Sequence, residues 1–305
     1  MSFFRIICCV LLFFGMTATM LRATHIVGGE MTYRCLGNNR YEISVTVFRD
    51  CDTGVPWFDN PASVGVFDSS GALVTDMRIA LRGNDTLDLD LTDSCYVAPP
   101  NVCIHRTTYR DTVTLPFLAG GYTLAYQRCC RNQDIVNIVD PLGTGATYTI
   151  QLTEAAMLQC NSSPTFRDWP PVYLCVDVPI VFDHSAVDAD GDSLVYEMCA
   201  PYEGATPFNP QPQPPFSPPY DSVQWLTGAG YSTNNMLGGV DVLRINPNTG
   251  LLTGTPTRFG VFVVGIRVRE YRNGQLISVV QRDFQYAVGQ LEETIGVGEG
   301  VQVGT

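Results

Sequence analysis

The residues best suited to chemistry are carboxylates. Asp188, Asp190 and Asp192 stand at alternate positions around Gly191, with Asp183 just ahead and Glu270 in a later apolar run. Carboxylates spaced this way around a glycine turn converge on one hard cation. Calcium, which takes about six to eight oxygen ligands, suits such loops in extracellular modules. The EF-hand pattern is not met, because its closing Glu is missing, so Asp183 and Glu270 are the candidates to complete the set. An acidic hairpin turn whose Asp side chains cap backbone amides accounts for the same spacing and competes with the metal reading.

Cysteine is the second reactive type, with 11 in the chain. That is too many for an ordinary cytosolic protein and points to an oxidising compartment. Cys95 and Cys103 flank Ala98-Pro99-Pro100-Asn101, a loop that could bring them together, and are the preferred bridge. Cys35 and Cys51 fall at opposite ends of an expected hairpin, too far apart to pair with each other. The neighbours Cys129 and Cys130 should point to opposite faces of a strand and so take different partners, one of them Cys51 or Cys35. Cys160, Cys175 and Cys199 form an odd set in the second half, which leaves one thiol over; Cys175 and Cys199 remain candidates for a bridge.

Three motifs imitate catalytic sites. Ile26-Val27-Gly28-Gly29 copies the start of an activated trypsin-like protease, but the rest of a triad and its glycine-rich oxyanion loop are missing. Gly191-Asp192-Ser193-Leu194 spells an esterase signature without its downstream base, since His184 is the last histidine. Asp183-His184-Ser185 holds triad residue types, yet adjacent strand residues face opposite ways. His25, His105 and His184 show no zinc-ligand spacing with cysteine and read as structural. No catalytic residue is assigned, and the chain reads as a non-enzyme.

The elements that must position these groups are β-strands. The chain has 305 residues, 45% hydrophobic, and its 18 basic residues are all arginine against 30 acids. That acidic balance excludes the basic footprint of a nucleic-acid binder. Residues 1–23 read as a secretory signal peptide: Arg5, the apolar run Ile6–Phe14 and a small-residue exit, with cleavage after Ala23 or, second, Ala18. No later segment is apolar enough to span a membrane. Short β-rich runs follow, among them Tyr41–Phe48, Tyr122–Cys129, Ser193–Cys199, Gly260–Glu270 and Gln275–Ala287, separated by turns such as Gly37-Asn38-Asn39 and Arg272-Asn273-Gly274. One helical turn is expected at Thr153–Leu158. The pattern predicts an all-β fold of two tandem immunoglobulin-like β-sandwich domains, 24–158 and 159–289, with a glycine-rich tail at 290–305. Pro207–Pro219 reads as an extended polyproline-type surface loop.

Five ordered motifs carry a resemblance: Ala23–Glu30, Tyr126-Gln127-Arg128-Cys129-Cys130-Arg131-Asn132, Asp188–Leu194 with Tyr196-Glu197, Ile245–Pro256, and Arg269–Gly274. Together they resemble the N-terminal region of large secreted surface proteins of gliding-type bacteria, the PKD-domain or gliding-motility-associated family. The run Thr249–Pro256 is similar to the end of immunoglobulin- or cadherin-like modules. The resemblance implies export through the Sec route and a type IX system, a cell-surface location and a role in adhesion or surface architecture. In that family cysteines often stand where this chain has Ile266 and Gln290, and a sorting domain and repeats are expected after Gly289.

The reading is therefore a secreted, disulfide-stapled structural or adhesive module, with Asp183, Asp188, Asp190, Asp192 and Glu270 as candidate calcium ligands and the plain acidic turn as the competing account. Its partners would be a surface ligand or neighbouring modules of a larger protein, with no nucleic acid. A carbohydrate-binding module is the alternative, with Trp57, Trp169 and Trp225 as its aromatic platform; a secreted hydrolase comes after it.

Overall fold

Asn38 and Asn39 both take positive φ, 52° and 58°, the two-residue turn geometry that matches the twist of paired strands. They fold β1 (Ile26–Gly37) back onto β2 (Arg40–Asp50). Asn273 and Gly274 repeat the device, with φ of 52° and 79°, between the two longest strands, β16 (Gly260–Arg272) and β17 (Gln275–Gly289). These strands belong to a computed structural model that describes residues 26–51, 54, 57–87 and 103–289. In chain order the others in the first half are β3 (Ala62–Asp68), β4 (Leu73–Ile79), β5 (Asp85–Thr86), β6 (Ile104–Thr114), β7 (Tyr122–Arg128) and β8 (Ala146–Leu152). After a short helix, α1 (Glu154–Gln159), come β9 (Thr165–Phe166), β10 (Tyr173–Cys175), β11 (Ile180–Asp183), β12 (Ala186–Val187), β13 (Ser193–Met198), β14 (Arg244–Ile245) and β15 (Leu251–Gly254).

The fold is nearly all β, 51% strand and 4% helix, with a main antiparallel sheet curled as a half-barrel. That sheet has 12 strands and runs β4-β3-β7-β8-β17-β1-β2-β6-β5, with β16 on β17 and β13 on β16. β17 explains why the expected division at residues 158 and 159 is not visible as a break in the sheet. One edge of β17 pairs along its length with β16; the other meets β8 at Val280, β1 at Arg282 and Asp283, and β10 in parallel at 287–289. Strands from both halves are thus interleaved rather than stacked end to end. Being covered on both faces, β17 is buried at most positions, with Val280, Phe284 and Tyr286 fully enclosed.

One apolar core follows the same path, joining Met31, Ile43, Leu124 and Ile150 to Phe262, Val264, Phe284 and Tyr286. Each such large side chain contributes roughly 1.5–3 kcal/mol on burial. The expected helical turn is present as α1, where Thr153 Oγ1 accepts from the Ala156 amide at 3.1 Å. Among the described residues no helix is long and apolar enough to cross a membrane.

The cysteines depart from the expected pairing. β2 and β6 are neighbours with Asp50 opposite Ile104, so Cys51 and Cys103 leave the ladder side by side and are bridged, Cα atoms 5.3 Å apart. Cys103 is therefore not the partner of Cys95, which lies outside the described residues. Cys35 is bridged to Cys160, tying the end of β1 to the end of α1. With Cys35 and Cys51 so paired, neither is the partner of Cys129 or Cys130; these two follow the last residue of β7, where strand alternation no longer separates neighbours. Cys175 is disulfide-bonded as well. Cys199 is a buried free thiol whose pKa burial pushes up to about 12.

The proline-rich run is not a free polyproline arm. The Phe216 amide donates to Gln127 Oε1 at 2.8 Å, the Cys129 amide to the Pro210 carbonyl at 2.9 Å, and Pro212 and Pro215 are buried. It is a strap held by residues of β7 and the turn after it. His25 and the 290–305 tail lie outside the described residues.

Candidate metal centre

Alternation along β16 sends Phe262, Val264, Ile266 and Val268 into the core, each fully buried. The same period of two sends Glu270 inward as well, and it too is fully buried. A register shift between Glu270 and Tyr271 marks the end of the regular ladder there. One carboxylate oxygen, Oε2, accepts from Asn161 Nδ2 at 3.0 Å. The other, Oε1, is buried and has no hydrogen-bond partner. Asn161 stands there because the Cys35–Cys160 bridge fixes the residue before it. Ser278, opposite Glu270 on β17, also buries an unpartnered hydroxyl.

The acidic turn lies between β12 and β13. Asp188 Oδ1 accepts from the amides of Asp190 at 3.0 Å and Asp192 at 2.7 Å. One oxygen thus performs the amide capping expected of a plain turn. Its other oxygen, Oδ2, is buried without a partner. Asp192 is gripped by Arg272, whose Nε donates to Oδ1 at 2.7 Å and whose Nη2 reaches Oδ2. That guanidinium holds the Asp192 carboxyl below its ordinary pKa.

Asp188, Asp192 and Glu270 each present an oxygen within 4.8 Å of the other two. Three carboxylates with one adjacent guanidinium carry excess negative charge in a largely enclosed space. Removal from water, then the neighbouring Asp192 and Asp188 carboxylates, push the Glu270 pKa up to about 9, opposed by the Asn161 hydrogen bond. Tyr33 is also pushed well up, by burial first and by Glu270 among lesser causes. A proton on Glu270 or a hard cation among the three carboxylates would relieve the charge. An all-oxygen donor set with two orphaned buried oxygens fits a calcium-type ion, with waters completing its shell.

The remaining expected ligands are elsewhere. Asp190 Oδ2 accepts from the Ser162 amide at 2.8 Å, outside the cluster. Asp183 Oδ1 accepts from the Ser185 amide at 3.0 Å, on the exposed end of β11. His184 packs between Phe166, Phe182 and Phe284 with both ring nitrogens unpartnered. Burial holds it neutral, and it makes no relay with its neighbours. Asn161 and Ser278 were not expected at the site; an Asn just after a cysteine was their only trace in the sequence.

The three tryptophans have different packing partners. Trp57 packs with Phe58 and His105 beneath the Arg49 guanidinium. Trp169 stacks on Phe48 at 3.5 Å. Trp225 donates from Nε1 to Thr233 Oγ1 at 3.1 Å. No protein-family model, curated protein or solved structure matches the chain.

Proposed function

We propose that this chain is a non-catalytic extracellular module of a bacterial surface protein, structural or adhesive, whose two halves are braced by a divalent cation, calcium by its ligand chemistry. The observation that carries the reading is Glu270: a carboxylate enclosed at a core position, one oxygen orphaned, facing the orphaned oxygen of Asp188. Such an arrangement costs stability unless a proton or a cation answers it. The bridged cysteine pairs support an oxidising location, and the leader at residues 1–23 and the five surface-protein motifs support export.

The test is thermal unfolding of the protein with calcium and with chelator at one fixed pH. A ligand that binds only the folded state at about 100 times its Kd adds roughly 2.7 kcal/mol. Calcium should raise the melting temperature of the native chain and leave Asp188→Asn unmoved. Equal melting with calcium and chelator, or the same gain in Asp188→Asn, would remove the cation from the proposal.

A further inference from the structure

The face of the sheet turned away from the core carries a second, separate constellation. Thr149 and Gln151 on β8, Val279 and Gln281 on β17, and Arg267 and Arg269 on β16 line a cavity of about 220 Å³, with Tyr202 at its side. The ladder sets them there: Ile150 pairs with Val280, Arg267 with Gln281 and Arg269 with Val279. Their neighbours in sequence, Ile150, Val280, Ile266 and Val268, are fully buried on the opposite face.

The electrostatics of this cavity invert those of the chain. Among 30 acids and 18 arginines, two guanidiniums here share one carboxylate oxygen. Glu197 Oε1 accepts from Arg267 Nη1 at 3.0 Å and from Arg269 Nε at 3.0 Å. Arg267 is further fixed by donating from Nη2 to Gln281 Oε1 at 3.1 Å. Both arginine side chains keep solvent access, 21% and 31%. A planar guanidinium presents paired donors that match a carboxylate. Thr149 and Gln151 offer hydroxyl and amide groups, and Tyr202 an aromatic body with a polar tip. Val279 is the one apolar side chain lining the cavity, too little for the hydrophobic anchors on which peptide recognition rests. The volume falls below the roughly 300–1,000 Å³ of pockets for drug-sized ligands, so one sugar-sized unit is the scale it admits.

We infer that this pocket binds a carboxylate-bearing sugar residue, the uronic acid of an acidic polysaccharide, with Arg269 and Arg267 on the carboxylate and Thr149, Gln151 and Tyr202 on the ring. The inference uses no residue of the carboxylate triad and stands independently of the cation.

Calorimetric titration with trigalacturonate tests it, in calcium-free buffer near 0.15 M ionic strength so that the chain's overall negative charge is screened. The fully methyl-esterified trisaccharide is the matched neutral probe and N-acetyl-triglutamate the peptide carboxylate. Trigalacturonate should bind at least ten-fold more tightly than either. Arg269→Gln should weaken it at least ten-fold, and Glu197→Gln, which removes the negative charge that competes for both guanidiniums, should strengthen it several-fold. Absence of binding, equal binding of the ester, equal or tighter binding of triglutamate, or insensitivity to both substitutions overturns the inference. Should Arg269→Gln fail to fold, Glu197→Gln alone decides, since a merely structural carboxylate would not improve binding when removed.

Discussion

Arg131 and Glu270 are both fully buried charged residues, and they are housed in opposite ways. Arg131 sits in a closed cell: Nη1 donates to Asp283 Oδ1 at 3.1 Å, Nη2 to Asp283 Oδ2 and the Tyr202 carbonyl, and Nε to the Gly145 carbonyl at 3.1 Å. Glu270 sits in an open one, its nearest charges two further carboxylates and its Oε1 without a partner. A fold that needs a buried charge for architecture answers it from its own chain, as β17 does for Arg131. A buried charge left unanswered stores the cost for something that arrives from outside, whether a proton or a cation. The difference separates scaffolding from a site more sharply than burial alone does.

The largest expected effect breaks the closed cell. Arg131→Met leaves Asp283 enclosed without its partner, which should cost about 3–5 kcal/mol in denaturant unfolding. Replacing both residues, Arg131→Met with Asp283→Leu, should recover much of that loss, because a buried pair replaced whole is often nearly neutral. A double variant as unstable as the single one would show that the pair does more than satisfy itself.

The open cell should respond to pH instead. Glu270 holds its proton to about 9 in the fold against an ordinary 4.5. Between those values the folded chain binds the extra proton, so the stability from this group is complete below the lower value and declines as pH rises through the upper one. In chelator, melting temperature should therefore fall from about pH 5 to 9 by an amount that Glu270→Gln removes. Calcium should remove the same slope by taking the proton's place. Slopes that match in native and Glu270→Gln chains would close the comparison against the site.

The smallest effect belongs to Asp183. It is exposed and caps a local amide, a task Asn performs equally well. Asp183→Asn should change stability by no more than about 0.5 kcal/mol and leave the calcium response intact. A lost response would return Asp183 to the ligand set.

What could be read from the sequence was local. Asn38-Asn39 and Asn273-Gly274 announce their hairpins because few residues accept positive φ, and Thr153 announces its helix because a hydroxyl caps an amide three residues on. Glu270 was legible only as an acid at the end of a late apolar run. Neighbourhood between strands distant in sequence was not. The pairing of β2 with β6 decides that Cys51 meets Cys103, and no spacing encodes it. No spacing places β17 beside β8 and β1 either. For the same reason Asn161 at the triad and the arginine-lined cavity stay hidden, since each is assembled from strands that only the sheet order brings together.

That sheet order also governs how the chain can be made. The Glu30 carboxylate receives Arg282 Nε at 2.7 Å across a sequence separation of 252 residues. The first strand must therefore wait for the last before its own edge is covered. Closing so long a loop makes folding slow, and strands β1 and β8 stand with open edges until β17 arrives. A chain emerging end-first from a ribosome or a translocation pore can finish folding this sheet only after β17 has come through. Until then it depends on remaining unpaired with its neighbours, which makes timing of release, as much as composition, a determinant of yield.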